Sequence, residues 1–123
     1  MALPPKASVW ADSMDPSDLV EYRADFAGGP KPLLEPNEKI ASYTATLHES
    51  AVQHGVFISE ADGFEPKRVN DDTAVELAFE VDVEERENPA FAAGGVQVGV
   101  VFTVITTDGR RRQRTWVWTI EQL

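Results

Sequence analysis

From residue 18 onward this chain alternates with a period of two. Between Thr73 and Val83, Val75, Leu77, Phe79, Val81 and Val83 fall on one side, and Glu76, Glu80 and Asp82 on the other. Successive side chains of a β-strand point to opposite faces, so the pattern describes a strand with one apolar face turned to a core. A second half-buried strand is expected over residues 18–26, where Val20, Tyr22, Ala24 and Phe26 alternate with Glu21, Arg23 and Asp25. A third covers 39–48, with Ala41, Tyr43, Ala45 and Leu47 on one face, and a shorter one covers 56–59. Gly28-Gly29-Pro30-Lys31-Pro32 reads as a loop, as does the charged 84–95 stretch with Asn88-Pro89 and Gly94-Gly95. Asp62-Gly63 and Asn70-Asp71-Asp72 read as turns.

Two long strands follow, 96–107 and 110–122, joined by Asp108-Gly109. Asp-Gly between alternating runs is a hairpin signal, because a two-residue type I′ turn needs two residues that tolerate positive φ. In that register Val101 faces Trp116, Gly99 faces Trp118 and Ile105 faces Arg112, so Trp116, Trp118 and Ile120 belong to the core face. The opposite face then carries Val98, Val100, Phe102, Val104 and Val117. Such a second apolar face is covered by the N-terminal segment, by the 84–95 loop or by another subunit. On the subunit reading, Phe102→Glu weakens self-association and leaves the fold intact.

No segment sustains a 3.6-residue pattern, and no helical spacers separate the strands. The expectation is therefore an all-β chain: a single antiparallel β-sandwich over 18–123, immunoglobulin-like in shape, preceded by an extended proline-rich N-terminal arm over 1–17. The arm holds Pro4, Pro5 and Pro16 together with the apolar Leu3, Val9, Trp10 and Met14. It folds back on its own domain, docks on a neighbouring subunit or stays disordered.

Composition narrows the function. The hydrophobic fraction of 42% supports a packed core over 123 residues and argues against general disorder. The absence of cysteine removes disulfides, thiolate metal sites and thiol catalysis. A formal net charge of −10 disfavours nucleic acid as a partner of the whole domain, since phosphate binding draws on Lys and Arg. The apolar runs are shorter than a bilayer span, and Met1 to Lys6 does not have the form of a signal peptide, so no membrane partner is expected and synthesis in the cytoplasm is the default.

Nothing in the sequence nominates a catalytic residue, a cofactor or a metal. His48 and His54 lack a metal-binding spacing, and Asp71-Asp72 and Asp62-x-x-Glu65 lack the repeated ligands of a calcium loop. One cluster stands apart: Arg110, Arg111, Arg112 and Arg114 gather four of the eleven basic residues beside one turn. It reads as a solvated hairpin tip that balances nearby acids, as an electrostatic clamp on an acidic partner, or as a local contact with nucleic acid.

Three stretches together carry a family likeness. Asp-Pro-Ser-Asp-Leu-Val-Glu-Tyr at 15–22, Glu-Lys-Ile-Ala-Ser-Tyr-Thr-Ala-Thr at 38–46, and Val-Ile-Thr-Thr-Asp-Gly-Arg at 104–110 before an Arg-rich strand resemble the phage fiber-tail adaptor family, small bacteriophage virion proteins. The likeness covers most of residues 15–120 and departs from the family pattern in the Gly28–Pro36 loop, the 84–95 loop and the arm. It implies a non-enzymatic structural protein of the virion, made in the host cytoplasm, that bridges other tail, neck or fiber proteins and repeats as a homo-oligomer or ring. The interface on this reading draws on Val98, Val100, Phe102, Val104, Val117, Arg110, Arg111, Arg112, Arg114, Leu3, Val9 and Trp10. Two other classes fit the same features. One is a capsid decoration or cement protein, and the other a ligand- or carbohydrate-binding module with Trp10, Trp116 or Trp118 as a stacking platform.

Overall fold

The computed structural model describes residues 2–28 and 32–123. The chain is all-β, with β1 Ser8–Val9, β2 Val20–Asp25, β3 Ile40–Leu47, β4 Val56–Ile58, β5 Lys67–Val69, β6 Ala74–Val81, β7 Val96–Thr106 and β8 Arg111–Ile120. A single helical turn, α1 Glu49–Val52, follows β3, and two 3-10 turns, Val83–Glu85 and Pro89–Phe91, lie between β6 and β7. The strands form two sheets. One has the order β1-β8-β7-β3; in the other, β6 pairs with β2, β4 and β5. Among the described strands all pairings are antiparallel except β1 with β8, which a parallel bridge from Met14 to Ile120 extends.

The inner faces of the two sheets share one core. Val75, Leu77, Phe79 and Val81 of β6 are almost wholly buried, as the uninterrupted alternation predicts. Tyr22, Ala24 and Phe26 join them, and Phe79 stacks on Trp118 across the sheets at 4.1 Å between ring centroids. Offset aromatic pairs of this kind add roughly 0.5–1.5 kcal/mol beyond the area they bury. Val83, expected on the same face, lies beyond the end of β6 in a 3-10 turn and is exposed.

The β7–β8 hairpin corrects the expected faces. Thr106 N donates to Arg110 O and Gly109 N to Thr106 O, so the loop holds three residues, Thr107, Asp108 and Gly109. Within it only Gly109 takes a positive φ, 83°. That is a type I turn followed by a left-handed glycine, the usual three-residue hairpin, and not the two-residue type I′ turn. The pairing moves by one residue: Val98 faces Trp118, Val100 faces Trp116, Phe102 faces Arg114 and Val104 faces Arg112. A slip of one residue exchanges the two faces of a strand. Val98, Val100, Phe102 and Val104 are therefore core, with exposures of 0–1%, and they share their face with Trp116, Trp118 and Ile120. The expectation that they form an exposed subunit interface is overturned, and with it the idea that Phe102→Glu would spare the fold.

The outer face of the same sheet carries Gly99, Val101, Thr103 and Ile105 on β7 and Val117 on β8. Val117 is nonetheless buried, so it is not available as an interface residue either. Part of this cover comes from the arm. A Cβ placed on Gly99 would stand 2.5 Å from Leu3 Cδ2, so the missing side chain makes room for Leu3.

The N-terminal segment folds back on its own domain. Trp10 N donates to Val117 O, Met14 N to Thr119 O and Glu121 N to Met14 O, and the Leu123 amide donates to Asp15 Oδ2. Met14 is fully buried. Trp10 packs against the core cluster, and its indole N–H donates to Arg23 O. Leu3 and Trp10 are thus engaged within the chain, whereas Val9 keeps an exposed side chain.

A candidate partner-binding surface

The corner around Arg110 is built by two turns. In Glu35-Pro36-Asn37-Glu38, Glu38 N donates to Glu35 O while Asn37 takes φ 69°, a type II turn with proline and asparagine at their favoured positions. This turn points the Glu38 carboxylate inward, where it is buried. The β7–β8 loop brings Arg110 onto it: Nε donates to Glu38 Oε2 at 3.1 Å and Nη2 to Glu38 Oε1, with Leu33 O as a further acceptor at 3.4 Å. The backbone N–H of Glu35 completes the carboxylate at 2.8 Å. The Arg110 guanidinium, followed by the Thr106 hydroxyl, holds the Glu38 carboxyl down to about 2, and the carboxylate in turn raises the Arg110 pKa.

Arg110 is therefore a structural clamp between the start of β3 and the β7–β8 loop. A hollow of about 270 Å³ beside it is lined in part by Pro32, Leu34, Glu38 and Lys39. Its three charged groups are already engaged, Glu38 and Glu35 by Arg110 and Lys39 by Asp71 at 2.7 Å.

The other three arginines differ from Arg110. Arg111 and Arg114 are exposed and Arg112 is half-buried. Arg112 and Arg114 stand opposite Val104 and Phe102 on the inner side of the sheet, and Arg111 lies opposite Ile105 on the outer side. Among the described residues none of the three has a carboxylate within 4.0 Å; Arg114 donates to the carbonyl of its neighbour Gln113. They also occupy the part of β8 that β1 leaves unpaired, since β1 reaches only Trp116 and Val117. Charges along an open strand edge oppose edge-to-edge pairing, which gives these arginines a role even in the isolated chain.

The histidines serve the backbone. His48 caps α1, its Nδ1 accepting from Ser50 N at 3.0 Å, and His54 Nδ1 lies 2.7 Å from Ser50 O. Among the described residues no three His, Cys, Asp or Glu side chains are placed to hold a metal ion. No helix among them is long and apolar enough to cross a membrane. Trp118 is fully buried and Trp116 nearly so. Trp10 sits 5.0 Å from the Tyr22 ring and 5.7 Å from Trp118, so the three indoles form one cluster in which Trp10 stays half-buried.

Sequence reasoning found the arginine cluster but missed its division into one clamp and three unpaired cations, because Glu38 lies 72 positions from Arg110. The Pro36-Asn37 pair is a turn signal and was the available clue to the inward-facing Glu38. Comparison with known proteins gives no matching family model and no curated relative.

Proposed function

We propose that this chain is a non-enzymatic structural protein of a tailed bacteriophage virion, an adaptor in the tail or neck that bridges other structural proteins where fibers attach. In this reading the two sheets make an immunoglobulin-like β-sandwich. The observation that carries it is the strip of Arg111, Arg112 and Arg114, without an acidic partner among the described residues, on a chain of formal net charge −10. Unpaired cations on an acidic surface favour an acidic protein partner and fix its orientation more than they add affinity. The family likeness adds support: Arg110, from its third stretch, clamps Glu38, from its second, so two stretches far apart in sequence form one structural unit.

The test uses phage particles purified from the host that encodes the chain. Mass spectrometry should find the protein in intact particles at low copy number, and gold-labelled antibody should mark the tail or neck. Replacing Arg111, Arg112 and Arg114 together by Glu should lower its incorporation and the salt sensitivity of its attachment. Copy numbers comparable to the major shell protein would instead indicate a capsid decoration protein. Absence from the particle would overturn the proposal.

A further inference from the structure

The strand edges of this molecule are unequal. β2 carries Glu21, Arg23 and Asp25, β5 carries Lys67 and Arg68, the open part of β8 carries three arginines, and β4 has only three residues. β3 is different: Ile-Ala-Ser-Tyr-Thr-Ala-Thr-Leu is eight residues long and uncharged, and it contains no proline. β3 borders β7 along one side only.

The hydrogen bonds fix which backbone groups of β3 are open. His48 N donates to Gly99 O, continuing the register that pairs Leu47 with Val100 and Ser42 with Ile105. In an antiparallel ladder alternate residues point their N–H and C=O at the partner strand. Ser42, Thr44 and Thr46 therefore face β7, and Tyr43, Ala45 and Leu47 face outward. Among the described residues nothing bonds to the outward groups of these three. The start of the edge is closed: Arg68 Nη1 donates to Ile40 O and Ala41 O, and Ile40 N donates to Asp72 O.

We propose that this edge binds a second copy of the chain, β3 against β3 in antiparallel two-fold pairing centred on Ala45. The inference is independent of the phage reading. The Arg68 cap selects the register, because only pairing Ala45 with Ala45 and Tyr43 with Leu47 uses every open group and none that is already occupied. Each of these three pairs exchanges two backbone hydrogen bonds. The side chains match under the same symmetry. On the inner side the half-buried Tyr43 meets Leu47, large on large, and Ala45 meets itself on the axis. On the outer side Thr44 meets Thr46 twice. Two acidic copies meet here along a strand without charge, and the capped Ala41 end of each, with Arg68, faces Glu49 of the other. The result joins the two four-stranded sheets into one continuous sheet.

The sequence has no cysteine, so introduced thiols report without background. Thr44 and Thr46 of opposite copies form a non-hydrogen-bonded pair with Cα atoms about 4.5 Å apart, within disulfide range, whereas Thr44 and Thr44 are diagonal neighbours at about 7–8 Å. Under mild oxidation a mixture of Thr44→Cys and Thr46→Cys chains should cross-link, and either alone should not. Sedimentation equilibrium should show a monomer–dimer equilibrium for the unmodified protein. The surface variant Thr44→Lys/Thr46→Lys should weaken the dimer roughly tenfold or more, because it places like charges directly opposite one another twice. Its circular dichroism should be unchanged. A monomer at all concentrations, or a dimer that neither cross-links in the mixture nor responds to the lysines, would overturn the inference. Particle incorporation does not enter this test, so its failure leaves the adaptor reading standing, and the reverse holds.

Discussion

Glu38 gives up its proton more readily in the folded chain than in the unfolded one, because Arg110 and the Thr106 hydroxyl bind its charged form. A carboxylate with a lowered folded pKa stabilises the fold above its unfolded pKa, and that contribution disappears as the pH falls through the folded value. Here the loss runs from about 4.5 down to about 2. Urea unfolding between pH 6 and 2.5 should show stability falling across this window, and Glu38→Gln should flatten that part of the profile while lowering stability at pH 6. The second residue to test is Phe102, fully buried and 5.7 Å from the Trp116 ring in an edge-to-face contact. Phe102→Ala should cost about 3–5 kcal/mol in the same assay. A negligible change would return the side chain to the outer face.

At the level of elements, the N-terminal segment behaves as an extra strand and an aromatic plug combined. β1 contributes only two paired residues, so its hold depends on Trp10, whose ring lies 6.0 Å from Phe79 and 6.1 Å from Trp116. Trp10→Ala should lower stability by about 2–3 kcal/mol, less than for a wholly buried tryptophan. Trp10→Phe should keep most of the packing and lose about 1 kcal/mol with the hydrogen bond to Arg23 O. Protease cleavage within residues 2–12 should become faster in the alanine variant.

The elements that could be read from the sequence were those with unbroken alternation. β6 was legible because no residue interrupts Val75 to Val81. The alternation of β3 groups Ala41 with Tyr43, Ala45 and Leu47, but the register shifts between Ile40 and Ser42, so that Ile40 is buried and Ala41 exposed. An inserted residue leaves no mark in a run of small and polar side chains. The β7–β8 faces were inverted because two- and three-residue hairpin loops both end in glycine, and only the conformation of Asp108 separates them. β5 carries Lys67 and Arg68, and α1 is one turn capped by a histidine, so neither has a periodic signal to read. Glu38 and Arg110 meet through tertiary structure alone.

Across the whole molecule, charge and edge protection are distributed together. The acids and bases of β2 and β6 pair over the second sheet, as Arg23 does with Glu76 at 2.8 Å, and arginines line the open part of β8. Among the described residues β3 is then the one long edge without charge, β4 being uncharged but only three residues long, so strand addition along a full-length edge has a single direction in which to grow. A self-complementary edge of that kind closes after two copies and does not run on into a fibre.

The parallel pairing of β1 with β8 also carries a consequence for synthesis. Ser8 and Val9 leave the ribosome long before their partners Trp116 and Val117, which lie on the last described strand. Until then Trp10 lacks Trp116 and Trp118, Met14 lacks its backbone partners Thr119 and Glu121, and the first sheet lacks the strand that lies between β1 and β7. Hydrophobic groups that wait this long for distant partners are open to chaperones and to wrong contacts. The nascent chain should therefore stay sensitive to protease until β8 has cleared the exit tunnel, and should acquire its resistance in one late step.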